Sequence, residues 1–133
     1  MTTQSRETEV FSYNIDVLDD TCPSRRVLDL LANKWTVLVI YALSSGTKRN
    51  GELQRLVLGI TQKMLTQTLR ELECNGIVAR TVYPVVPPMV EYNLTAMGQT
   101  LIEPLKTLCN WAMQHIPEVE ASRARFADNK GVN

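Results

Sequence analysis

Lys63, Gln67 and Arg70 recur at i, i+4 and i+7 within the segment TQKMLTQTLRELECNG, with Gln62 and Thr66 beside them. If that segment is helical, one face presents cations, amides and a hydroxyl together. Arg and Lys donate to guanine, Gln pairs with adenine in two directions, and Thr meets a phosphate or a thymine methyl, so this is an inventory suited to reading base edges. Lys48, Arg49 and Arg80 lie at segment ends where phosphates could run, and such contacts add affinity that falls with salt. The bland alternative for any polar helix face is that it is merely solvated.

A second group centres on Cys22, which precedes Pro23 with Arg25 and Arg26 one turn on. A helix N-terminus and nearby cations favour the nucleophilic thiolate, open to oxidants and electrophiles. The same position also suits a small buried thiol that stays protonated, and the residues leave both readings open. Cys74 reads as an exposed bystander and Cys109 as packing. Three widely spaced cysteines argue against a disulfide framework and leave no ligand pair for zinc. His115, the sole histidine, has no catalytic neighbour in sequence and reads as a helix-end cap or a solvated ring. With no CxxC pair, no paired histidine base and no phosphate-binding glycine loop, nothing points to an enzyme, a cofactor or a metal.

The elements that must position these groups follow from apolar spacing. RRVLDLLANKW places Val27, Leu28, Leu30 and Leu31 on a first helix that tolerates Pro23 in its opening turn. KWTVLVIYAL predicts a second helix buried on most faces. Asn50 is a candidate cap for a short third helix, GELQRLV, with Leu53 and Leu56 facing inward, and Leu58-Gly59-Ile60 makes a turn. Thr61 caps the fourth helix, whose Leu65, Leu69 and Leu72 face the core until Asn75-Gly76 stops it. IVARTVY and VEYNL then alternate as hairpin strands around PVVPPM, with Val90, Tyr92 and Leu94 on the buried face. The loop carries no cation. From Thr95 a long helix is expected, kinked or restarted at Pro104. It bears one apolar stripe of Leu101, Leu105, Leu108 and Ala112 beside another of Ile102, Cys109 and Met113. Two stripes want two partners, the domain core and a second subunit. Trp35 and Trp111 read as core or interface aromatics.

This order, mainly α with a small β-hairpin, is that of a winged helix-turn-helix. The 133 residues suffice for one domain. The 14 Lys and Arg balance 14 Asp and Glu, so the total charge reveals nothing. The distribution does: residues 1–20 hold one base and five acids, while Lys48 to Arg80 holds six bases and three acids. The chain therefore divides into an acidic arm (1–20), a DNA-binding and dimerisation domain (21–116) and a tail (117–133) expected to fray at its end. The longest apolar run, Val37 to Leu43, is far shorter than the ~20 residues of a membrane helix. With no signal peptide at the N-terminus either, a cytoplasmic protein is expected.

The stretch from Cys22 to Trp111 resembles the HxlR-type bacterial transcription regulators. The opening Cys-Pro, the NKW of Asn33 to Trp35, GITQKMLTQTLRELE and YPVVPPMVEYNLT carry the resemblance. It implies a dimeric winged-helix protein with the fourth helix in the major groove, the hairpin as wing, and the first and last helices building the dimer. Leu28, Leu101, Leu105, Leu108 and Trp111 are the interface candidates. Some members sense quinones, aldehydes or oxidants through a cysteine placed like Cys22, which turns the open thiol question toward a sensor. The expected partner is double-stranded DNA carrying an inverted repeat, and a small dimer without an added activation domain points to a repressor. The competing expectation is a winged-helix module that binds proteins, which the neutral charge and uncharged wing permit.

Overall fold

The computed structural model describes residues 18–132; the acidic-arm expectation for residues 1–17 lies outside them. The elements run α1 (Pro23–Leu31), α2 (Lys34–Leu43), β1 (Lys48–Arg49), α3 (Asn50–Leu56), α4 (Gln62–Cys74), β2 (Val78–Tyr83), β3 (Met89–Leu94), α5 (Ala96–Gln99) and α6 (Ile102–Val132).

Asn33 separates the first two helices because its side chain accepts the Trp35 backbone N–H at 2.9 Å, capping α2. α2 buries Thr36, Val39, Ile40 and Leu43, yet Leu38 and Tyr41 face outward, so it is less enclosed than its composition predicts. A nearly all-apolar helix has no polar face to announce its exposed side. Asn50 is not the cap of α3 but its first residue. Arg49 occupies the cap position, and its backbone N–H donates to Glu52 Oε1 at 3.1 Å. Leu53 turns inward as expected, whereas Leu56 is 55% exposed.

α4 has the boundaries its sequence predicts. Thr61 Oγ1 accepts the Met64 N–H at 3.1 Å, and Gly76 ends the helix at φ +74°, a conformation most side chains resist. Leu65, Leu69 and Leu72 are buried together with Thr68. They pack with α2 and Leu53 into one core, closed by Val78 and Leu94 of the hairpin and Leu105 of α6.

The hairpin pairs Val78 with Leu94 through Tyr83 with Met89. A third strand, β1, adds to its other side in the order β1-β3-β2, with Lys48 opposite Tyr92 and Arg49 opposite Glu91. Two residues are too few to show an alternation in sequence.

Thr95 does not open the long helix. It caps the four-residue α5, accepting the Gly98 N–H at 3.0 Å while its hydroxyl donates to the Gly76 carbonyl at 2.6 Å. Gly98 touches the Ile77 backbone so closely that an added methyl would overlap its carbonyl oxygen. α6 restarts at Ile102 with Pro104 in its first turn, where no intrahelical N–H is lost. It then continues through Pro117 for 31 residues, on the order of 46 Å, including the segment expected to fray.

Candidate nucleic-acid interface

Each predicted reading residue of α4 is exposed. Gln62, Lys63, Thr66, Gln67 and Arg70 line one shallow depression of about 510 Å³ on the face opposite the buried leucines. Gln62 Nε2 donates to Thr66 Oγ1 at 3.3 Å, which orients two members of the set along the helix.

The sheet brings Arg80 to this face and sets Lys48 in line with it. Directly paired strand residues share a side of the sheet. Lys48 and Arg80 both pair with Tyr92, so the three form a row across β1, β3 and β2. Arg80 and Tyr92 line a second depression with Thr66, Leu69, Arg70 and Glu73. Arg80 thus joins the α4 surface, ten residues beyond Arg70 in sequence. Lys48 Nζ donates to the Gly46 carbonyl at 3.4 Å, and Arg49 points from the opposite side of the sheet, opposite Glu91. Tyr92 is the residue that sequence reasoning missed. Alternation marked it as buried, whereas it is half-buried beside Arg80 and Arg70, with a phenol able to donate to a phosphate. Only the cross-strand register reveals this. The wing loop ends on Val86, which is 99% exposed and flanked by Val85 and Pro87.

Cys22 stands at the N-cap of α1, half-exposed, and its side chain makes no capping hydrogen bond. Its N–H donates to the Asp19 carbonyl at 3.1 Å. It lines a recess with Arg25 and Arg26, and also with Asp20 and Asp29, so the cations expected around it are accompanied by acids. Arg25 Nη1 donates to the Leu18 carbonyl at 2.8 Å. The Thr21 backbone N–H and hydroxyl donate to Asp19 and hold its carboxyl below its ordinary value of 3.8. Cys74 is exposed at the end of α4 and Cys109 half-exposed on α6.

The interface candidates divide. Leu105 is only 6% exposed and Leu101 packs on the core, so both serve the chain's own interior. Leu28 is exposed, as are Leu108 (60%) and Trp111 (54%). Met113, Ile116, Val119 and Phe126 extend this exposed apolar surface along α6. His115 sits within the helix, not at its end. It stacks on Trp111 at 4.6 Å, and its Nδ1 donates to the Trp111 carbonyl at 2.9 Å. Among the described residues no cluster of His, Cys, Asp or Glu could hold a metal, and no helix is long and apolar enough to cross a membrane.

A short helix, a tight turn, a polar-faced second helix and a three-stranded wing define a winged helix-turn-helix. The chain belongs to the HxlR-like helix-turn-helix family of transcription regulators, whose sequence profile matches residues 30–120. It is 44% identical over 104 residues to the HTH-type transcriptional regulator YtfH of Escherichia coli, covering 78% of this chain and 82% of that protein. The solved structure of the ytfH transcriptional regulator of Salmonella typhimurium superposes with a TM-score of 0.76 at 40% identity, covering 82% of this chain and 97% of that one. The redox regulator HypR in its reduced form matches with a TM-score of 0.69 at 41% identity, covering 74% of this chain and 98% of its own.

Proposed function

We propose that the chain is a homodimeric repressor that reads an inverted-repeat operator through α4 and responds to oxidants or electrophiles through Cys22. The observation that carries the DNA reading is the joining of Gln62, Lys63, Thr66, Gln67 and Arg70 into one exposed surface, beside Arg80. In this reading α4 enters the major groove. Gln67 and Arg70 meet base edges, while Lys48, Arg49, Arg80 and Tyr92 hold the backbone. Val86 gives the wing a shape contact without a cation, so base contacts fall mainly on α4. The dimer reading is supported by the apolar surface that Leu28, Leu108 and Trp111 leave in water.

The sensing role is supported by the half-exposed thiol at the start of α1 and by the likeness to a redox regulator. A quinone would form a C–S bond with the Cys22 thiolate, its ring taking up the electron pair and protons as a hydroquinone. Hydrogen peroxide would transfer one oxygen to the sulfur and leave as water, giving a sulfenic acid. Either product enlarges the N-cap of α1 and shifts the helix that this reading places at the dimer seam.

The test is binding to duplex DNA from the protein's own upstream region, over a salt series, with and without a quinone or peroxide, for wild type and Cys22→Ser. Salt-steep, sequence-specific binding that treatment abolishes in wild type alone is the expected result. Binding indifferent to treatment removes the thiol switch. Indifference to any duplex favours a protein-interaction module, a reading consistent with the apolar wing tip.

A further inference from the structure

Sharing no lining residue with the depression on α4, an apolar recess of about 800 Å³ runs between α2, the end of α3 and the start of α6. Leu38 and Tyr41 of α2, Leu56 and Leu58 around the turn, and Ile102 and Lys106 of α6 line it. Its size lies in the range of sites that enclose a small organic ligand. Ser44 and Ser45 also border it, but both hydroxyls already donate to carbonyls of their own helix, Tyr41 and Ala42. No carboxylate side chain is among the lining residues, and Lys106 is the single cation there. Its ammonium makes no hydrogen bond or ion pair among the described residues.

We propose that this recess binds a small aromatic carboxylate. The leucines, Ile102 and the Tyr41 ring would cover the aromatic body and remove it from water. Lys106 would pair with the carboxylate, a charge-assisted contact that an uncharged ring could not draw on. A neutral apolar ligand would leave the cation unpaired at the edge of its site. Charge complementarity therefore selects an anion with an apolar body. A molecule seated there touches both the helix preceding α4 and the first turns of α6, two elements that the recess brings together.

Isothermal titration calorimetry of the full chain with naphthoate, and with naphthamide as its neutral analogue, tests it. Naphthoate is expected to bind. Naphthamide with wild type, and naphthoate with Lys106→Gln, are each expected to be weaker by about two- to fivefold. Lys106 is exposed, so its replacement leaves the core intact. Leu58→Glu, at an equally exposed position, should weaken naphthoate by setting a like charge beside it. Absence of naphthoate binding at millimolar concentration overturns the proposal. Equal binding to wild type and Lys106→Gln overturns it as well.

Discussion

At the scale of single residues, the proposed reading and holding roles are separable by mutation. Gln67 and Arg70 face outward from α4 where base edges would lie, and Lys48 sits at a strand where phosphates would run. Gln67→Ala and Arg70→Ala should each relax discrimination at one position of the half-site by about 1–3 kcal/mol, measured by competition with singly altered duplexes. Lys48→Ala should weaken all duplexes alike and lower the slope of log affinity against log salt by about one. A uniform loss from Gln67→Ala would remove that residue from base reading.

Asp19 carries the acid dependence of the turn before Cys22. Its carboxyl is held below 3.8 by the Thr21 N–H and hydroxyl, so the folded state prefers the carboxylate. The stabilisation is fully present above the ordinary value and is lost as pH falls through the lowered one. The Thr21 amide resonance should therefore titrate below 3.8 and cease to titrate in Asp19→Asn. A midpoint above that value would contradict the assignment.

At the scale of elements, caps and close approaches fix the boundaries. Thr61→Ala should cost about 1 kcal/mol through loss of the α4 cap. Gly98 and Gly51 behave oppositely. Gly98→Ala drives a methyl into the Ile77 carbonyl and should cost at least about 2 kcal/mol. Gly51→Ala in α3 meets only the far end of the Arg55 side chain at 3.6 Å, so it should stabilise by about 0.5–1 kcal/mol. Urea midpoints of the two variants, moving in opposite directions from wild type, are the check. α4 was legible because its cap, its leucine period and its glycine stop agree. β1 and the break between α5 and α6 were not, because a two-residue strand has no period and an interrupted helix keeps its apolar spacing.

At the scale of the whole molecule, α6 divides its apolar residues between the chain's own core and a surface that none of the described residues covers. Leu105→Ala should destabilise the fold by about 2–5 kcal/mol, since that side chain is buried. Leu108→Glu with Trp111→Glu should leave the fold intact and yield a monomer by light scattering, together with weakened operator binding. A double variant that remains dimeric would move the interface elsewhere.

The amino-acid sequence by itself determined the succession of the first four helices and the hairpin, the polar face of α4 and the family, because each rests on local spacing and on side-chain types that repeat within a few residues. Tertiary structure decided that Lys48, Tyr92 and Arg80 form one row, that Leu105 turns inward while Leu108 and Leu56 turn out, and that α2, α3 and α6 enclose a recess. These depend on strand register and on which side of a helix meets the core. Both are set by packing between segments distant in sequence, which no local period encodes.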